Sequence, residues 1–210
     1  MSIHDEITRI NQAKTDLKNY LTDNGVEVSG NEKINELVGA LEQTSGGSGG
    51  NNKLAQLVNK TITEVTADDL QGITSMETYA FYMCAGLTSV TIPDSVTNIN
   101  GSVFNRCTGL TSITIPDSVT SMGTNVFYGC SGLTSVTIGS GVTRIGSYTF
   151  YECSALTSII CKATKPPTIE SNTFDGDVPA DLTIYVPAAS VDAYKTASYW
   201  SKYANRIVAI

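Results

Sequence analysis

His4 is the only histidine in the chain, and it stands in the polar start Met1-Ser-Ile-His-Asp-Glu6, far from any candidate serine or cysteine nucleophile. Acyl transfer needs a nucleophile beside a base that takes its proton, so neither a catalytic triad nor a thiol–imidazole pair can be assembled. Cys84, Cys107, Cys130 and Cys153 are the next candidates for chemistry. They recur at one interval of 23 residues, whereas zinc sites need closely spaced ligands that converge tetrahedrally on one point. One thiol per unit, in a row, reads as a ladder of small, reduced core residues, and Cys161 falls where the other units have Ile. Asp175-Gly176-Asp177 supplies two carboxylates without the other spaced oxygens of a calcium loop, so it reads as a turn. Gly139-Ser140-Gly141 follows an apolar strand pattern but opens no phosphate-cradling helix and is also a turn. The expectation is a protein that is not an enzyme and holds no cofactor or metal.

Binding chemistry has better material. Ser89 and Thr91, Ser112 and Thr114, Ser135 and Thr137 form a repeating pair of hydroxyls. They either keep a strand surface soluble, as threonine does on open sheets, or hydrogen-bond a glycan or protein receptor. Tyr82, Tyr128 and Tyr151 occupy one repeat position, with Tyr148 nearby and Asn105 interrupting the series. Such a stripe either packs against neighbouring turns or offers amphipathic contact area to sugars and partner proteins.

These residues are placed by a period. Phe81, Phe104, Phe127 and Phe150 keep the same 23-residue interval, as do Leu87, Leu110, Leu133 and Leu156. Val90, Ile113, Val136 and Ile159 superpose in turn, followed by Ile92, Ile115, Ile138 and Cys161. A period of this length is the signature of a solenoid. Val90 and Ile92 lie two residues apart on one side of a short strand, and Thr91 points to the other. Pro93 ends the strand because it has no N–H to donate, and Val96 and Ile99 turn a second apolar pair inward before Phe104. A single coil cannot bury its apolar face, so at least about three must stack.

The run Leu87-Thr-Ser-Val-Thr-Ile-Pro-Asp-Ser-Val-Thr-Asn-Ile99, continued through Val103-Phe104-Asn-Arg-Cys107, resembles the leucine-rich repeats of the BspA or Treponema type. The resemblance extends from about Ile73 to Phe174. It implies an α+β repeat protein, a leucine-rich-repeat solenoid of the kind found in adhesins, surface proteins and virion parts. Lys53, Leu54, Leu57, Val58 and the stretch from Ile62 to Leu70 are expected to cover its first coil. Leu182-Thr-Ile-Tyr-Val-Pro187 repeats the strand-then-proline pattern, and Val191, Tyr194 and Trp200 are expected on a closing helix.

The first 43 residues follow a different rhythm. Ile3, Ile7, Ile10, Lys14, Leu17 and Leu21 alternate steps of four and three, the seam of a helix, which Asn24-Gly25 stops. Ile34, Leu37, Val38 and Leu41 mark a second helix, capped by Ser29 or Asn31. The pair forms either a helical hairpin or a short assembly seam, whose Ile and Leu core suits a homotrimer. Ile10-Asn-Gln-Ala-Lys-Thr-Asp-Leu-Lys18, Gly25-Val-Glu-Val28 and Lys33-Ile-Asn-Glu-Leu37 are similar to a helical module of phage tail and virion proteins. Residues 44–52 are a Gly/Ser linker by composition, which leaves an anchoring module at 1–43, a solenoid with its cap at 53–181 and a closing strand and helix at 182–210.

Twenty acidic residues stand against 13 basic ones. The block from Cys84 to Cys161 carries only Asp94, Arg106, Asp117, Arg144 and Glu152, so the electrostatic footprint of a nucleic-acid binder is missing. No apolar run is long enough to span a bilayer, and no secretory signal is visible. The expected function is a bacteriophage virion protein, in tail fibre, baseplate or head decoration, that joins other virion proteins through residues 1–43 and attaches to a host-surface glycan or protein. A bacterial surface adhesin, and a purely structural decoration, are the competing readings.

Overall fold

The computed structural model describes residues 60–174, 176 and 178–210. The helical hairpin, the seam residues Ile3, Ile7, Ile10, Lys14, Leu17 and Leu21, the linker and residues 53–59 of the cap lie outside the described residues, as do Asp175 and Asp177. Thr63–Ile210 forms one compact unit.

In this unit the alternation of apolar and polar residues becomes a stack of parallel strands. Strands β5 (Ser112–Ile115), β7 (Ser135–Ile138), β9 (Ser158–Cys161), β10 (Thr183–Val186) and β11 (Ile207–Ala209) form one sheet in the order β11-β10-β9-β7-β5. Ahead of it, β1 (Glu64–Val65) pairs with β3 (Ser89–Val90). The register is the repeat itself: Ile113 sits opposite Val136, and Val136 opposite Ile159. Along β5, β7, β9 and β10 every second side chain points into the core, so a slip by one residue would expose the whole apolar set.

Val96 and Ile99 are both buried, as the sequence predicts, but residues 98–99 are also a strand. Strands β2 (Ser75–Met76), β4 (Asn98–Ile99), β6 (Ser121–Met122) and β8 (Arg144–Ile145) make a second parallel sheet, order β2-β4-β6-β8. A third set of rungs runs through the turns around phenylalanine. Phe81 N donates to Val103 O at 2.9 Å, Phe104 N to Val126 O at 2.9 Å and Phe127 N to Thr149 O at 3.0 Å. Each coil is thereby hydrogen-bonded to the next along three lines, which satisfies backbone groups that the short strands alone would leave unpaired.

Those turns use left-handed backbone at two repeat positions. Tyr79, Ser102, Asn125 and Tyr148 have φ between 54° and 65°, and Met83, Arg106, Gly129 and Glu152 between 58° and 68°. The conformation costs a side-chain-bearing residue about 1–2 kcal/mol, and the stacked coils on either side hold it in place. Gly132 answers a different demand: a Cβ there would collide with the Thr108 carbonyl of the preceding coil.

Between the three lines lies the core. Phe81, Phe104, Phe127, Phe150 and Phe174 stack face to face, with centroids 5.5, 5.5, 5.8 and 5.2 Å apart. Trp200 closes this column at 5.8 Å from Phe174, and its indole N–H donates to Pro167 O at 2.7 Å. Tyr194 and Trp200 are both fully buried, but they do not share one helix. Helix α1 spans only Val191–Thr196, Tyr199 takes a left-handed conformation (φ 61°), and Trp200 begins a separate 3-10 helix, Trp200–Arg206. That break swings the chain round so that Ile207–Ala209 adds a strand beside β10. Cys161 replaces the Ile of earlier coils where Tyr194 enters, and the phenol donates to Ala163 O at 2.7 Å and reaches the Cys161 sulfur at 3.2 Å. At the opposite end, Thr66 N donates to Asp69 Oδ2 at 2.8 Å across the start of the 3-10 turn Asp68–Leu70, and Leu70 is buried.

Candidate functional site

Two classes of hydroxyl emerge from the same Ser/Thr-rich sequence. Thr97, Thr120, Thr143 and Thr168 donate to the carbonyl one coil back, at 3.1, 3.2, 3.0 and 3.3 Å, and so belong to the ladder. Ser89, Thr91, Ser112, Thr114, Ser135 and Thr137 are different. They point out of the sheet, exposed at the first four and half-buried at the last two, and none of their hydroxyls bonds another described residue. Ser112 is opposite Ser135 and Thr114 opposite Thr137, so the hydroxyls form rows, and Ile160 ends the second row opposite Thr137. Sequence periodicity does not separate the two classes, because both recur every 23 residues through the central coils, as Thr97, Thr120 and Thr143 do.

The tyrosines line the adjoining turns. Tyr128 and Tyr151 stack with centroids 5.1 Å apart and planes 15° from parallel. Tyr148 meets Tyr151 edge-on at 5.6 Å, and Tyr79 meets Tyr82 edge-on at 5.4 Å. Tyr82, Tyr128 and Tyr151 are half-buried while Tyr79 and Tyr148 are exposed, so the rings both pack on neighbouring turns and present contact area. Tyr79 also belongs to this edge, and its spacing marks it, since it stands three periods before Tyr148. Tyr128 donates its hydroxyl to Glu152 Oε1 at 3.3 Å, and its phenol is held above the ordinary range by desolvation and then by the Glu152 charge.

Beside the tyrosines runs an open groove of about 460 Å³. Met83 and Ala85, Arg106 and Thr108, Gly129 and Ser131, and Glu152 and Ser154 line it, two residues from each of four coils. Gly129 provides no side chain, and the Arg106 stem lies over it: a Cβ on Gly129 would stand 3.2 Å from Arg106 Cγ. Arg106 and Glu152 thus bring opposite charges to one groove in a region otherwise poor in charge. The periodic left-handed positions Met83, Arg106, Gly129 and Glu152 were the available sequence signal, since an isolated Gly in such a series marks a backbone constraint.

Reactive groups are turned away from this surface. All five cysteines are buried thiols outside any disulfide. The thiols of Cys107, Cys130 and Cys153 donate to the Phe81, Phe104 and Phe127 carbonyls at 3.0, 3.0 and 3.1 Å, which makes the ladder a set of hydrogen bonds as well as of small apolar groups. Burial raises the Cys130 and Cys161 thiols and pushes Cys153 up to about 12, leaving them without thiolate, the nucleophilic and metal-binding form. Among the described residues no group of three His, Cys, Asp or Glu could hold a metal ion, and no helix is long and apolar enough to cross a membrane. Asp117 accepts from Ser140 N at 2.7 Å, and that bond holds its carboxyl below the usual range, so it serves the turn.

A model of the BspA type leucine-rich repeat region matches residues 61–197 in six copies. The chain belongs to this BspA-type leucine-rich repeat family. Among solved structures, this repeat protein is similar to a leucine-rich repeat protein from Bacteroides ovatus, with 24% identity and a TM-score of 0.50 over 60% of this chain and 30% of that one. The repeat array therefore spans less than a third of that relative's length. A T. pallidum leucine-rich repeat protein matches at 20% identity and a TM-score of 0.44, covering 69% of this chain and 76% of that one. A leucine-rich cell surface protein from Faecalibacterium prausnitzii matches at 22% identity and a TM-score of 0.37, covering 63% and 50%. No curated protein matches the chain.

Proposed function

We propose that this chain is a non-enzymatic attachment module, which presents its repeat array to a surface glycan or protein. The observation that carries the reading is the sorting of polar side chains. Six outward hydroxyls with no partner among the described residues stand on the sheet, and a half-exposed tyrosine edge borders a groove, while the thiols are buried. Membership of a BspA-type repeat family supports a surface-interaction role of this kind.

The carrier is a finer matter. A bacterial cell surface is favoured by the repeats, which resemble those of adhesins. A bacteriophage particle rests on the similarity of residues 10–37 to virion modules; there residues 1–43 would join other virion proteins, as a homotrimer through Ile3, Ile7, Ile10, Leu17 and Leu21, and the solenoid would face the host. Antibodies against the solenoid decide between the two by labelling either purified particles or the bacterial envelope.

Attachment itself is tested by saturable binding of the labelled full chain to bacterial cells and to immobilised surface glycans and proteins. Expected is binding that changes little between low and moderate salt, because few ionic groups lie on these surfaces. Substituting Tyr82, Tyr128 and Tyr151 together with Ser should weaken it while the fold survives. No saturable binding to any of these surfaces would leave a structural decoration as the better reading.

A further inference from the structure

The tyrosine edge has a missing rung. Tyr82, Asn105, Tyr128 and Tyr151 are one repeat position in four successive coils, and only the second lacks a ring. The orientation of the outer rings is legible from two contacts. Tyr82 meets Tyr79 at 5.4 Å and 75°, and three coils later Tyr151 meets Tyr148 at 5.6 Å and 76°, so Tyr82 is set in its coil as Tyr151 is in its own. Tyr128 is within 15° of parallel to Tyr151. The repeat thus sets Tyr82 and Tyr128 on either side of the coil of Asn105. Directly beside them, Phe81, Phe104 and Phe127 stack within 5° and 3° of parallel, so these three coils are hardly twisted against one another.

Removing one ring from such a column leaves a slot of two rungs, roughly 10 Å between ring planes. Asn105 stands half-buried at the missing rung, and its side-chain amide hydrogen-bonds no other described residue. We infer that this slot between Tyr82 and Tyr128 binds a single neutral pyranose ring of a glycan, with the Asn105 amide hydrogen-bonding its hydroxyls.

The choice of occupant follows from width, charge and polarity. A flat aromatic ring in contact with both tyrosines fills only about 7–8 Å, twice a carbon–carbon contact, and sits loosely. A chair-shaped pyranose has its carbons on two levels and axial C–H groups on its faces. It is thicker, and those C–H groups meet the electron-rich ring faces. Asn105 supplies two donors and an acceptor, which suits neighbouring hydroxyls. Arg106, the next residue along, and Glu152, which accepts from the Tyr128 hydroxyl, carry opposite charges, so the slot has no net charge to select an ion. The inference rests on the attachment reading and names its ligand.

The test titrates methyl α- and β-pyranosides of glucose, galactose, mannose and N-acetylglucosamine into the full chain, observed by NMR at the Asn105 side-chain amide and the Tyr82 and Tyr128 rings. Expected are saturable shifts at those groups for at least one pyranoside. Asn105→Tyr, which inserts the ring that the neighbouring coils carry, should weaken binding at least tenfold without lowering the melting temperature. Tyr128→Ser, which opens one wall, should weaken it as well should the first variant not fold. Shifts unchanged in Asn105→Tyr, or no pyranoside binding at all, would overturn the slot. So would p-cresol or tetramethylammonium binding there in place of the sugars, which would assign it to an aromatic side chain or a cation. Surface binding by Asn105→Tyr equal to the parent's, with no pyranoside response in either, removes the slot and leaves attachment standing. A pyranoside response without any surface binding does the reverse.

Discussion

The phenylalanine column and the tyrosine edge are made by adjacent residues in the same coils, yet one is unbroken and the other is not. From Phe81 to Phe174 every coil supplies a buried ring, while one position later Asn105 interrupts the tyrosines. Packing explains the contrast. A ring inside the column touches neighbours on both sides and leaves a cavity if lost, whereas a half-exposed ring is replaced by water at little cost. Regularity on the inner position is thus required by stability, and irregularity on the outer position is left free for recognition.

The largest effect is expected inside the column. Phe104→Ala or Phe127→Ala should cost about 3–5 kcal/mol in denaturant melts, because the coils above and below hold the vacated space open. A loss under about 1 kcal/mol would remove the contrast between the two positions.

Alkaline pH comes next. Burial holds the Cys153 thiol at about 12, against 9.0 ordinarily, and Cys130 and Cys161 move in the same direction. The unfolded chain releases these protons first, so stability should be level below about pH 9 and fall as pH rises toward 12, by up to about 1.4 kcal/mol per unit for each thiol. Urea midpoints across that range measure it, and a flat profile would mean the ladder is open to solvent. Thiol counting should likewise show little native labelling and five reactive groups after denaturation.

Smaller effects belong to the outer positions. Arg106→Gly should stabilise by about 0.5–1 kcal/mol, since relief of left-handed strain outweighs the added freedom of the unfolded chain, and Gly129→Ala should do the opposite. Melting curves of the pair check both signs together. Smallest of all, Asn105→Ala should change stability by no more than about 0.5 kcal/mol, next to a phenylalanine whose removal costs several times as much.

Most of this architecture is legible in the chain because a repeat restates its own rules. The inward series from Leu87, Val90 and Ile92 onward and the return of the strand-then-proline pattern at Leu182–Pro187 follow from period and polarity, although in the coil of Pro93 the strand already stops at Val90. The second sheet is less visible, since two-residue strands such as Asn98–Ile99 carry no alternation to read. The closing segment hid its break at Tyr199 for a similar reason: Tyr194 and Trp200 are buried by contacts with Ala163, Pro167 and Phe174, not by a helical spacing.

By itself, then, the sequence determined which side chains face inward and how often, because burying apolar surface requires the same residue types at the same place in every coil. What the tertiary structure alone decided is what the outward residues do. Thr97 became a ladder rung and Thr91 a hydroxyl with no partner among the described residues, Arg106 came to lie over Gly129, and Tyr128 came to stack on Tyr151. Those assignments depend on which group lies within hydrogen-bond or contact distance one coil away, and only stacking in space fixes that distance.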